Sequence, residues 1–419
     1  MFSFLYNLVL KIYYGLACLH AVFSPKAAKW TAAQRIAQNQ MRDYIPSAGC
    51  RLIWIHAASL GEYEQASPLI SSIKEAYPYY YILLSFFSPS GYDVKHRSSG
   101  ADQVVYLPLD NDSIARRFVQ CYRPQLAIFI KYEVWYHYLS ELNRQGIPYV
   151  FVATQFRPDQ FYFRRWGYPL ASLLKKAHII FTPYHASSLI LEKMGFQNIT
   201  LAGDPRYDRV IEIARKAKPL LRFSNANPVI VAGSTWEPDE SLWYEVFAKW
   251  RGRINLVLVP HETNAAHLHK LDEIWKSALP RLSHHDPMHL TQDILVVDSI
   301  GLLSRLYKSA NIAYVGGGFG KGIHNTLEPA AYHIPVITGP QIEKFEEARL
   351  LSASGFLTVV RDASELHACI TRLLNVGKSA LDYRIKGEEF FALHSGGTKK
   401  IMHNLAEIFS ALSPEIPSW

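Results

Sequence analysis

Cysteine is scarce. Cys18, Cys50, Cys121 and Cys369 are the only four in 419 residues, they lie far apart, and no Cys-x-x-Cys occurs. That excludes a disulfide framework and a cysteine zinc site, and it fits reduced thiols in a cytosolic setting. Lys/Arg blocks and nucleic-acid recognition motifs are also missing, which argues against a nucleic-acid partner. There are no low-complexity runs and no repeats of solenoid period. With 49% hydrophobic and 13% aromatic residues, no stretch has the composition of disorder. What is present is an excess of positive charge: a net +8 and a pI near 9.1. That balance suits anionic ligands or an anionic membrane surface.

Residues 1–23 are apolar and aromatic. The run approaches the ~20 residues that span a bilayer. Lys11 near its middle opposes a clean span, since a central charge costs about 2.5–3.5 kcal/mol on insertion scales, and Asn7 and His20 oppose it further. No small-residue cleavage site follows, which argues against a signal peptide. Lys26, Lys29 and Arg35 come next and place the body of the chain on the cytoplasmic side. A retained anchor over 1–30 is expected, spanning the bilayer or lying in its interface. A buried amphipathic helix is the alternative.

From Arg51 short β-rich runs at 52–56, 80–86, 104–107, 126–130, 149–153, 179–182 and 199–202 alternate with helical patterns, such as 63–76, 113–122, 134–145 and 186–194. A basic run at 213–218 and a polar stretch at 224–228 read as a linker. A second series then follows, with strands at 229–232, 254–260, 294–298, 312–315, 336–339 and 357–360. Alternation of this kind predicts parallel sheets wrapped by helices. The expected fold class is therefore α/β: two Rossmann-like domains, 31–218 and 219–395, facing a central cleft, behind the N-terminal anchor helix and followed by a closing helix at 396–419 that returns toward the first domain. Ligands of such sheets sit at the carboxyl ends of the strands.

Residues 315–340 carry the densest signal. After the strand at 312–315, Gly316, Gly317, Gly318, Gly320 and Gly322 keep side chains away, so that backbone amides can approach a ligand. A helix over 324–332 would present an anion-binding first turn, and Glu328 one turn further in can accept hydrogen bonds from a ribose diol. The pattern matches neither the dinucleotide nor the P-loop motif. An ordinary strand-to-helix turn is the competing reading.

Other candidates end strands. In Trp54-Ile-His-Ala-Ala-Ser-Leu-Gly-Glu62, Glu62 opens a helix and can act as general base toward a hydroxyl; compensation of helix charge is the alternative. Glu133, in Lys131-Tyr-Glu-Val-Trp135, could orient a sugar or serve only as a helix-start carboxylate. Arg206, in Gly203-Asp-Pro-Arg-Tyr-Asp208, could hold a phosphate or carboxylate bidentately, or form a turn salt bridge with Asp204 or Asp208. Ser234, Thr235 and His261 would line the edge that carries the glycine loop, or act as turn and cap residues. Asp110-Asn-Asp112 has a metal-binding spacing, but capping by Asp112 is the simpler reading. Ser283-His-His-Asp-Pro-Met-His289 could ligate a metal but lies in a loop without cysteine. The stretch from Arg157 to Trp166 mixes aromatics with Arg164 and Arg165 and suits either anionic lipid or an ordinary loop-to-helix junction.

Taken together, His56-Ala-Ala-Ser-Leu-Gly-Glu62, Ala232-Gly-Ser-Thr235, and His324-Asn-Thr-Leu-Glu-Pro-Ala-Ala331 with Pro335-Val-Ile-Thr-Gly-Pro340 resemble the Kdo transferases of lipopolysaccharide synthesis, which have the GT-B fold. The resemblance implies inverting transfer of 3-deoxy-manno-octulosonic acid (Kdo) from CMP-Kdo to a lipid A precursor, with no cofactor or essential metal, at the cytoplasmic side of the inner membrane. It implies that Glu62 is the general base and that Glu133 assists the transition state. Arg206 stands where the family usually has Lys, and His261-Glu262 where Arg-His is common. Asn325, Thr326, Leu327 and Glu328 match the CMP-binding turn. Ile300-Gly301-Leu302 matches a second nucleotide contact, with Leu302 in place of a usual Glu. The rivals are a UDP-sugar-dependent GT-B lipid glycosyltransferase or UDP-sugar epimerase, and a non-catalytic, membrane-tethered sugar-nucleotide binder.

Overall fold

The computed structural model describes residues 2–44, 50–320, 322–375 and 379–412. Met1 of the expected anchor, Lys321 of the glycine loop and positions 413–419 of the closing segment lie outside the described residues. The chain divides into two compact units, residues 1–209 with 395–419, and residues 210–394.

The first unit is built on seven strands: β1 (Arg51–His56), β2 (Tyr80–Phe86), β3 (Gln103–Tyr106), β4 (Leu126–Ile130), β5 (Tyr149–Val152), β6 (Ile179–Thr182) and β7 (Ile199–Leu201). Their order is β3-β2-β1-β4-β5-β6-β7, every pair parallel. Strands covered on both faces must be apolar throughout, and Leu-Ala-Ile-Phe-Ile of β4 is fully buried. Alternation sends Leu52 and Trp54 of β1 into one core layer, and Ile53 and Ile55 into the other. The helix Gly397–Leu412 adds Ile401, Leu405, Ile408 and Phe409 to the second layer.

The second unit has six parallel strands: β8 (Val229–Thr235), β9 (Asn255–Pro260), β10 (Ile294–Val296), β11 (Ile312–Val315), β12 (Val336–Thr338) and β13 (Leu357–Val359). They are ordered β10-β9-β8-β11-β12-β13. In each sheet the strand order reverses at one place, between β1 and β4 and between β8 and β11. Loops diverge there and leave a crevice outside the carboxyl ends.

The N-terminal helix Phe2–His20 packs one side on the first unit. Tyr6 donates to Asp110 at 2.6 Å, and Asn7 Oδ1 lies 2.9 Å from His137 Nε2. Its other side, with Phe4, Leu8, Ile12, Leu16 and Leu19, is exposed.

Some expected boundaries move. Asn111, not Asp112, caps the helix Asp112–Tyr122, because its side chain accepts from the Ser113 amide. Asp110 instead caps the helix Tyr136–Arg144, accepting from the His137 and Tyr138 amides. That distant cap starts the helix two residues later than its periodicity predicts. The helix expected at 324–332 is a single turn, Leu327–Ala330. The Asn325 side chain accepts from the Leu327 amide and delays the start, while His333 at φ 57° ends it.

Candidate active site

In the first unit, the β1–β4 reversal gathers the polar side chains of Ser59, Glu62, Lys131, Glu133 and His56. Ser59 is the N-cap of the helix Leu60–Ala76, and Glu62 is its third residue. The Ser59 hydroxyl donates to the Glu62 carboxylate, and Lys131 Nζ lies 3.8 Å from Glu62 Oε1. Lys131 takes a left-handed conformation, φ 60°. Its amide bonds the Val152 carbonyl at 2.7 Å and its carbonyl receives the Thr154 hydroxyl at 2.9 Å. The turn that aims the ammonium at Glu62 is therefore fixed by β5 and the residues after it.

Two residues on, Glu133 Oε2 lies 3.8 Å from Nε2 of the fully buried His56. His56 Nδ1 sits 2.8 Å from Ser85 Oγ, which accepts from the Trp54 indole at 2.8 Å. A buried chain, Trp54–Ser85–His56, thus orients the imidazole toward Glu133. Arg206 opens the helix Pro205–Lys216, and its Nε and Nη2 both reach Asp204 Oδ2, at 2.9 and 2.8 Å. Asp204 is buried and also receives Gln65 from the helix of Glu62. The turn salt bridge weighed from the sequence is the arrangement found.

The second unit places its candidates along the carboxyl edge of its sheet. Ser234 sits at φ 53° beside a register shift between β8 and β9. Thr235 is fully buried and donates to Glu240 at 3.1 Å, and His267 reaches the same oxygen at 2.9 Å. Burial pushes the Glu240 carboxyl up despite those bonds. Ile300 and Gly301 form an exposed turn before the short helix Leu303–Leu306, with Gly301 at φ 87° and Leu302 packed on the core.

The glycine loop differs from expectation. Gly316 donates to Gly233, Gly317 to Asp239 at 2.9 Å, and Gly320 and Gly322 both to the Gly317 carbonyl. These amides are occupied within the protein rather than open to a ligand. The glycines answer to packing: a Cβ on Gly316 would lie 2.5 Å from the Ser234 carbonyl oxygen, and one on Gly318 2.6 Å from Gly339 Cα. Asp239 also accepts from Tyr314 at 2.6 Å and from the Trp236 amide at 3.0 Å. Burial pushes its carboxyl up. After the loop, Asn325 Nδ2 donates to Glu328 Oε1 at 3.1 Å, and Thr326 is fully buried. The single turn that follows is too short for the expected anion-binding helix start.

Beside this turn three rings stack. His261 stacks on both Trp236 and His324, with centroids 4.5 and 4.4 Å away and planes within 28° and 24°, while those two rings lie side by side with centroids 6.4 Å apart and planes within 18°. The Trp236 indole donates to His324 Nε2 at 3.1 Å. Burial first, and the neighbouring His261 second, push the His324 imidazole down to about 4, so it is neutral near pH 7. A pocket of about 380 Å³ opens next to Trp236, lined also by Asp239, Glu262, His267, Gly317 and Phe319. Sequence reasoning missed Trp236 and His324 as a stacked pair. Each flanks a recognised motif, but only the meeting of the β8 and β11 loops brings them together.

Two successive parallel α/β sheets of this order define the GT-B class, and solved structures carry the same fold. A putative UDP-N-acetylglucosamine 2-epimerase from Listeria monocytogenes matches with TM-score 0.57 at 13% identity, covering 87% of this chain and 97% of the other. The UDP-GlcNAc 2-epimerase from Neisseria meningitidis bound to UDP-GlcNAc matches with TM-score 0.60 at 10% identity, over 85% of this chain and 100% of the other. Residues 29–209 match the family described as 3-Deoxy-D-manno-octulosonic-acid transferase (kdotransferase). The 3-deoxy-D-manno-octulosonic acid transferase of Haemophilus influenzae is 26% identical over 96% of this chain and 97% of its own length. That of Aquifex aeolicus is 28% identical over 78% and 87%. The resemblance to Kdo transferases drawn from the motifs therefore holds across nearly the whole chain.

Proposed function

We propose that this protein transfers Kdo from CMP-Kdo to the sugar hydroxyl of a lipid A precursor, with inversion. The reading rests on one observation above all: Glu62 is held between a hydroxyl and an ammonium at the strand-order reversal of a unit similar to Kdo transferases. In the proposed reaction the Glu62 carboxylate takes the hydroxyl proton as the acceptor oxygen bonds to the anomeric carbon. The bond from that carbon to phosphate breaks, and CMP leaves with the electron pair. Glu133, backed by His56, and Arg206 supply charge around the transition state. In the second unit, Asn325, Thr326, Leu327 and Glu328, with Ser234, Thr235, His261, Glu262, Ile300, Gly301 and Leu302, are assigned to CMP. The occupied loop amides shift the expected phosphate contact toward side chains. The stack of Trp236, His261 and His324 offers a flat face to a base. The apolar outer side of the N-terminal helix is assigned to the cytoplasmic face of the inner membrane.

The test is product analysis by mass spectrometry with CMP-Kdo made in situ and a lipid A precursor. Acceptor mass should rise by Kdo units only when CMP-Kdo is supplied; no gain overturns the proposal. The fold likeness to UDP-sugar epimerases keeps a UDP-sugar enzyme as the rival. A larger thermal shift with UDP than with CMP would favour it.

A further inference from the structure

The first unit contains a second pocket, of about 500 Å³, that the proposed chemistry does not use. Its volume lies within the range of about 300–1,000 Å³ typical of small-molecule sites. Three elements build it. The N-terminal helix contributes Leu5 and Val9, the loop after β4 contributes Tyr132 and Val134, and Phe161 and Leu170 close it. No charged side chain lines it among the described residues. Of the three phenols on its walls, two turn their hydroxyls elsewhere, Tyr6 to Asp110 and Tyr162 to the Tyr132 carbonyl at 3.2 Å. Apart from the Tyr132 hydroxyl and the Gln160 amide, the walls are ring faces and aliphatic carbon. A phosphate or sugar would lose its hydrogen bonds in such a place, whereas an alkyl chain loses nothing.

Two features connect the pocket to a lipid. Tyr132 and Val134 flank Glu133 in the chain, and the Glu133 carboxylate, which faces His56, is near enough to the wall residue Tyr162 to act on its phenol electrostatically. Leu5 and Val9 are themselves 51% and 56% exposed, and they merge into the bare apolar side formed by Phe4, Leu8 and Ile12. A molecule with its sugar at the β1–β4 reversal and its hydrocarbon toward the membrane would pass through this pocket.

We propose that the pocket seats one acyl chain of the lipid acceptor, so that the N-terminal helix is a wall of the acceptor site and not an anchor alone. This rests on the transferase reading above. The test uses the full chain in phospholipid nanodiscs and two acceptors, the acylated lipid A precursor and its fully de-acylated disaccharide. Leu5→Trp with Val9→Trp fills the pocket while keeping the helix apolar, and Val134→Phe fills it from another wall. Each should raise KM for the acylated acceptor about tenfold and leave kcat/KM for the disaccharide unchanged. Equal loss on both acceptors, or no loss on either, overturns the proposal. A diazirine-bearing fatty acid gives a readout independent of transfer. Crosslinks to Tyr132 and Phe161 that vanish in the filled variants support the pocket even if no Kdo is moved, in which case the transferase reading alone fails. Crosslinks confined to Phe4, Leu8 and Ile12 overturn it.

Discussion

Tyr6 and Asp110 are 104 positions apart and meet at 2.6 Å, the phenol donating to a carboxylate that also caps the helix Tyr136–Arg144. Burial pushes Asp110 up to about 6, against the pull of the hydrogen bonds it accepts. Tyr6→Phe removes one of those bonds and should move the carboxyl further up, a change readable by carbon-13 NMR of the labelled side chain. It should also loosen the N-terminal helix, since a hydrogen bond to a charged group contributes about 1.5–3 kcal/mol. Faster proteolysis between that helix and the next is the second readout. An unchanged titration would show that the phenol does not sense the carboxylate.

Asp110 and His324 should give opposite pH slopes. The Asp110 value of about 6 lies above its ordinary 3.8. Its contribution to stability is present below about pH 4 and lost as pH rises through about 6. The His324 value of about 4 lies below its ordinary 6.5. Its contribution is present above about pH 6.5 and lost as pH falls through about 4. Between pH 4 and 6, wild type minus Asp110→Asn should therefore show amide protection of the first unit falling with pH. Wild type minus His324→Phe should show protection of the second unit rising. Hydrogen exchange read by mass spectrometry separates the two units.

Gly318→Ala tests the packing role of the glycine loop. Its added carbon would meet the Gly339 backbone, which has no flexible end to yield. Overpacking of this kind typically costs about 1–3 kcal/mol, which for a unit this size lowers Tm by roughly 2–4 °C per kcal/mol. Gly320→Ala is the control, because its Cβ would meet nothing within 4 Å. Similar melting of both variants would refute the packing account.

The two sheets were legible because strand periodicity is local. β2, β4, β6 and β11 begin and end where the apolar runs do. The motifs at strand ends were equally visible, and the order of β1 and β4 brings Glu62 and Lys131 together as parallel topology requires. What escaped the sequence depends on distant partners. Asp110 stands in a metal-like spacing whose simpler reading is capping by Asp112, yet its own oxygens serve a helix and a phenol far along the chain. Glycines 316 to 322 looked like an open anion cradle, yet Asp239, from the loop after β8, already occupies the Gly317 amide. Composition cannot distinguish an amide that waits for a phosphate from one that holds its own loop.

Glu62→Gln separates catalysis from binding. The amide keeps the size of the side chain and can still accept from Ser59, so the start of the helix Leu60–Ala76 should stand. It loses the negative charge opposite Lys131 and the ability to take a proton. A general base of this kind contributes about 10²- to 10⁴-fold to turnover, so kcat for Kdo transfer should fall by that order. CMP affinity by calorimetry should hold, because the residues assigned to the nucleotide belong to the other unit. Retained turnover in Glu62→Gln would remove the base from the mechanism. Turnover and CMP affinity falling together would mean that the carboxylate shapes the donor site instead.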